Sequence, residues 1–224
     1  IYMVDAESGR LLWSMGSSGA NEVFSGEDSI AASVATLDSN SDGFIDRLYA
    51  ADTGGTVWRI DMPIKAGNGK IIPGSVIKLA SLGGASNTAD RRFFNEPSIV
   101  RTLISQAEKS ANNETNSHDY HVIIYQEKSV DVIVVGSGDL SKPFQQDTVD
   151  RVFVLHDENI HHPSIAQMLN NNSSLGTAQI QLIHLQDRSN FPDEQSLNTA
   201  PKSQLSITLD KNSGWYIDLA DDGE

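Results

Sequence analysis

The sequence predicts an all-β fold of the β-propeller type, and three observations carry the prediction. Its apolar segments are short and rich in Val, Ile, Leu, Tyr and Phe, and Gly, Asn, Asp and Ser bound them. Helical periodicity is scarce. A pattern of aromatic residue, two small or apolar residues, Asp, a Gly turn and then Trp recurs along the chain.

Taken in order, the expected strands are "SIAASVATL", "RLYAA", "TVWRI", "SVIKLA", "HVIIY", "VDVIVVG", "RVFVLH", "QIQLIHL" and "LSITL". One short helix is expected, over about residues 163–170, entered through a His-Pro step. The repeat begins at Ile1-Tyr2-Met3-Val4-Asp5, with Gly9 and Trp13 following. It returns at Leu48-Tyr49-Ala50-Ala51-Asp52, with Gly55 and Trp58. Val152-Phe153-Val154-Leu155 precedes His156-Asp157, and the Asp46-Arg47 dipeptide recurs as Asp150-Arg151 ahead of its own strand. Such a hairpin places its Trp between neighbouring sheets. A spacing of roughly 40 to 50 residues with several strands each is the period of propeller blades. The expected architecture is therefore a partial ring of four-stranded blades, with residues 1–224 forming part of a single propeller domain and the remaining blades outside the chain. The stretches "SQAEKSANNETNSHDY" and "NNNSSLGTAQ" are polar and rich in Asn and Ser, and they read as surface excursions between strands.

Composition narrows the function. The chain has 224 residues, 38% hydrophobic and 21% charged, enough to bury a sizeable core. Its net charge of -14, from 16 basic against 30 acidic residues, argues against a nucleic-acid partner, which needs a basic face, and favours cations. With no cysteine, neither a disulfide framework nor a thiolate zinc site can form. No apolar run approaches the roughly 18 residues of a membrane helix.

The strongest motif is "DSNSDGFID". Asp38, Asn40 and Asp42 occupy positions 1, 3 and 5 of a calcium loop, Gly43 falls at position 6, and Phe44 offers its backbone carbonyl at position 7. Alternate residues aim oxygens at one concave side, and glycine permits the sharp turn that brings the carbonyl round. The usual Glu at position 12 is replaced by Tyr49, and Asp46 at position 9 takes its role, giving an EF-hand-like loop between strands instead of helices. The competing reading is an Asx-rich hairpin turn, which the same residue types favour.

Other motifs are weaker. His156, Asp157, His161 and His162 offer a zinc or nickel set, with His118 and His121 as another, yet turn residues explain them equally well. Gly136-Ser137-Gly138-Asp139 follows an apolar strand as a nucleophile or phosphate loop might, but it lacks the G-x-S-x-G spacing and reads as a tight turn. Asp221-Asp222 and similar pairs read as solvated, so no acid/base constellation stands out.

The order of "ATLDSNSDGFIDRLYAADTGGTVWRID", "RRFFNEPSIV", "DVIVVGSGDLSKPF", "DRVFVLHD" and "GWYIDLADDGE" resembles the C-terminal propeller of the type IV pilus tip-associated adhesin and biogenesis family, PilC/PilY. That resemblance implies a non-catalytic, secreted protein at the bacterial cell surface, associated with the outer membrane and the pilus tip. It implies minor pilins and host or abiotic surface receptors as partners. It also implies Ca2+ held by Asp38, Asn40, Asp42, Asp46 and the Phe44 carbonyl, supporting pilus extension and retraction control, twitching motility and attachment. No Arg-Gly-Asp occurs, so integrin binding is not implied. The alternative is a quinoprotein-dehydrogenase-like propeller enzyme, which "DAESGRLLW" resembles; its calcium would be bound by scattered residues instead of one contiguous loop.

Overall fold

In the computed structural model, residues 1–16, 18–110, 122–144, 147–162, 180–189 and 213–219 are described. Their regular structure is almost wholly β. The first sheet joins β1 (Tyr2–Val4), β2 (Leu11–Gly16) and β3 (Glu22–Val23). The second contains β4 (Ala35–Leu37), β5 (Arg47–Ala51), β6 (Thr56–Asp61) and β9 (Ser75–Ser81), with a small hairpin of β7 (Ile64–Lys65) and β8 (Ile71–Ile72) between the last two. The third contains β10 (Ser98–Ser110), β11 (Val122–Gly136), β12 (Arg151–Asp157) and β15 (Gly214–Asp218). Each large sheet is a four-stranded antiparallel meander extended by one two-residue parallel strand: β13 (Ile180–Gln181) beside β9, and β14 (Gln186–Asp187) beside β15. The only helical turns among the described residues are 3₁₀ segments at Asn87–Ala89 and Leu182–His184.

The middle sheet is buried on both faces, which explains why its strands are continuously buried instead of alternating. One face of β5 and β6 presents Leu48, Ala50, Trp58 and Ile60 to Trp13 and Met15 of the first sheet. The opposite face presents Tyr49, Ala51 and Val57 to Ile133, Val135, Phe153 and Leu155 of the third. The two repeat tryptophans thus share one apolar layer between sheets. Asp52 explains the order of residues within the second repeat unit: its Oδ1 accepts from the Gly54 and Thr56 N–H groups, and its Oδ2 accepts from Trp58 Nε1 at 2.7 Å.

Several sequence expectations shift. Only Ala35–Leu37 of "SIAASVATL" is strand. The polar excursion expected from Ser105 begins later, because Ser105–Ser110 pair in register with Glu127–Val122. A continuous ladder of backbone hydrogen bonds there outweighs the low strand preference of Ala, Glu and Lys. "QIQLIHL" divides into β13 and a 3₁₀ turn. The helix at 163–170, "LSITL", "NNNSSLGTAQ", His118, His121, Asp221 and Asp222 lie outside the described residues.

Candidate metal centre

Loop 38–46 closes the β4–β5 hairpin, just above the Leu37↔Arg47 pair. Its side chains organise its own backbone. Asp38 Oδ2 accepts from Gly43 N at 2.9 Å, and Asp38 Oδ1 and Asn40 Oδ1 both accept from Asp42 N, at 3.2 and 2.9 Å. Asn40 Nδ2 donates to Asp42 Oδ2, and Asp42 Oδ1 accepts from Phe44 N. Gly43 has φ +89°, a left-handed conformation that favours glycine and turns the chain back on itself. Asp38, Asn40 and Asp42 therefore gather round one turn. The Gly43 N–H, above all, holds the Asp38 carboxyl below its ordinary range.

Asp46 is placed differently. Its Oδ2 accepts from both the N–H (2.8 Å) and the hydroxyl of Ser39, so it is tied to the turn through the residue between Asp38 and Asn40. Phe44 is 75% exposed, and its N–H donates to Asp42 Oδ1. Among the described residues, no group of three or more His, Asp or Glu side chains is gathered as a ready-made metal cage. The donor set fits a hard cation such as calcium, being entirely oxygen, but most of these oxygens are occupied by the loop's own amides.

No protein-family model matches the sequence, and no curated protein matches it. Among solved structures, the chain is similar to the C-terminal domain of Pseudomonas aeruginosa PilY1, at 17% identity and a TM-score of 0.45. The similarity covers 99% of this chain and 45% of that one, so the chain spans less than half of that domain.

A second polar cluster lies beneath the loop, between the two large sheets, and sequence reasoning missed it. Arg47 on β5 pairs with Asp61 and Asp131; Arg59 on β6 pairs with Asp61 and Asp157; Arg101 on β10 pairs with Asp131. Three guanidinium groups thus face three carboxylates. The Tyr49 hydroxyl lies 3.2 Å from Asp131 and 3.1 Å from Asp157. Burial, then Asp157, pushes the Tyr49 phenol far up. Burial alone would lower the Arg59 guanidinium, but Asp157 and Asp61 outweigh it and raise it. The signal was present in the sequence: Arg47 and Tyr49, like Arg59 and Asp61, are two apart within apolar strands, so each pair shares a face.

The histidine set does not assemble. Asp157 is taken up by Arg59 and Tyr49, and the main chain of the histidine segment is clamped instead: Arg59 donates to the Asn159 and His161 carbonyls, and Arg47 to that of Ile160. Ser137 has a structural role, its hydroxyl donating to Asp150 and accepting from Arg151 N, but the expected tight turn does not form, since β11 ends at Gly136 and β12 begins only at Arg151. Beside it, Asp90, Arg92, Asp139, Lys142 and Asp150 line a polar cleft of about 440 Å³, bridged by Arg92 to Asp90 and Asp139. Among the described residues, no helix is long and apolar enough to cross a membrane.

Proposed function

We propose that the chain is a calcium-binding, non-catalytic propeller segment of a type IV pilus biogenesis and tip-adhesin protein. Its ion is held by the side chains of Asp38, Asn40, Asp42 and Asp46 and the Phe44 carbonyl. The observation that carries the calcium reading is the convergence of Asp38, Asn40 and Asp42 on the turn at Gly43, at the exposed end of a hairpin rooted in a buried sheet. Calcium would exchange the amide partners of these oxygens for one ion, with six or seven oxygen ligands at about 2.3 to 2.6 Å once water is included. The pilus context is supported by the order of sequence motifs, which resembles that of the PilC/PilY family, and minor pilins and a surface receptor are its expected partners.

Calorimetry on chelator-stripped protein tests the ion. Uptake of one calcium per chain is expected; no uptake at millimolar calcium by folded protein overturns the reading. Surface pilus number and twitching of cells carrying a loop variant in the full-length protein test the context, and wild-type behaviour at every calcium level overturns it.

A further inference from the structure

We propose that Arg101 is the positioning residue of loop 38–46, and that it couples the order of the loop to the charge junction buried between the two large sheets. The proposal deepens the calcium reading and rests on it for the identity of the ion, though not for the coupling.

Ser39 stands between two proposed ligands, and all its polar groups are engaged. Its N–H and hydroxyl go to Asp46, while its carbonyl accepts from Arg101 Nη1 at 2.9 Å. Arg101 does not belong to the hairpin. It lies on β10 of the opposing sheet, where its Nε and Nη2 form a fork on both oxygens of Asp131, at 2.7 and 3.0 Å. Asp131 is fully buried and is shared with Arg47 and Tyr49. One planar guanidinium therefore bridges a main-chain carbonyl inside the loop and the central carboxylate of the junction. Rotation of the peptide plane after Ser39 would swing Asn40 away from Asp38 and Asp42, and the Arg101 bond opposes that rotation. Lysine keeps the charge beside Asp131 but cannot supply the fork and the third donor together.

A second route must be separated from this one. Asp46 is followed directly by Arg47, itself a member of the junction, so loosening of the loop can also travel along the chain. The Arg101 route crosses between sheets, and only that route is removed by changing Arg101.

The test is a double-mutant cycle in the complete chain without calcium: wild type, Asp38→Ala, Arg101→Lys and the double variant, read by amide hydrogen exchange over residues 131–135 and 153–157. Asp38→Ala removes the acceptor of the Gly43 amide and one of the two acceptors of the Asp42 amide whatever ion is present. We expect it to speed exchange in the junction strands about fivefold or more in the wild-type background and at least threefold less when Arg101 is lysine, the remainder being the route along the chain. Equal acceleration in both backgrounds, or none in either, overturns the coupling. Arg101→Gln repeats the cycle without the charge and must give the same pattern. In calorimetry, Arg101→Lys should weaken calcium binding about fivefold or more, since coupling is reciprocal; unchanged affinity overturns the positioning role. A wild-type chain that takes up no calcium defeats the calcium reading instead, and the ion-free cycle then decides the coupling alone.

Discussion

At the scale of single residues, position in the loop separates proposed ligands that look equivalent in the sequence. Asp42 is exposed and organises only its immediate neighbours, so Asp42→Ala should abolish calcium uptake in calorimetry while leaving the unfolding midpoint close to wild type. Asp46 also ties down Ser39, and its loss should loosen the loop as well. Beneath the loop, Tyr49→Phe removes a hydroxyl that sits between two buried carboxylates. It should cost about 1–3 kcal/mol in denaturant unfolding, because the carboxylates keep their charge and lose a donor. The turn of the loop was legible, since its Asp and Asn residues and Gly43 are close in the chain and obey a spacing rule. Of the junction, only the in-strand pairs Arg47 with Tyr49 and Arg59 with Asp61 were legible, as shared faces; their meeting with Asp131 and Asp157 was not, because it arises only when two sheets stack.

Among elements, the hairpins are the units that the sequence specified best. "RLYAA" and "TVWRI" match β5 and β6 within a residue, since turn residues bound both. Gly55 shows why: it has φ +80°, and a β-carbon there would lie 2.5 Å from the Gly83 nitrogen. Gly55→Ala should cost about 1–3 kcal/mol from backbone strain alone, with the close contact adding to it, and chemical denaturation will measure the loss. The far reach of β10 was hidden because its pairing with β11 overrides the composition of "SQAEKS". On β12, burial pushes the His156 imidazole below its usual 6.5, and burial also lowers His162 beyond the strand end. A histidine that binds its proton less readily folded than unfolded contributes stability that is complete above about pH 6.5 and lost as the pH falls towards its folded value. Melting temperature should therefore decline from pH 7.5 to about 5.5, and the decline should be shallower in His156→Gln.

Over the whole molecule, the described sheets stack in series, with the middle one covered on both sides by apolar clusters. Short strands and the Trp repeat made this all-β layering legible. Closure into a ring is a matter of long-range geometry that a local repeat does not encode. The contact between the large sheets mixes an apolar core with a charge-balanced junction, so removing one charge leaves its partner stranded. Arg59→Met should destabilise the chain by about 3–5 kcal/mol in denaturant titrations, and raising the salt concentration should not rescue it, because both partners are buried. The same arginines grip residues 159–161 solely by their main-chain carbonyls. A segment held in that way places little demand on the identity of its side chains. Asn159, Ile160 and His161 can thus be exchanged without disturbing the anchor, and related chains could carry different chemistry at this point of the surface on an unchanged frame.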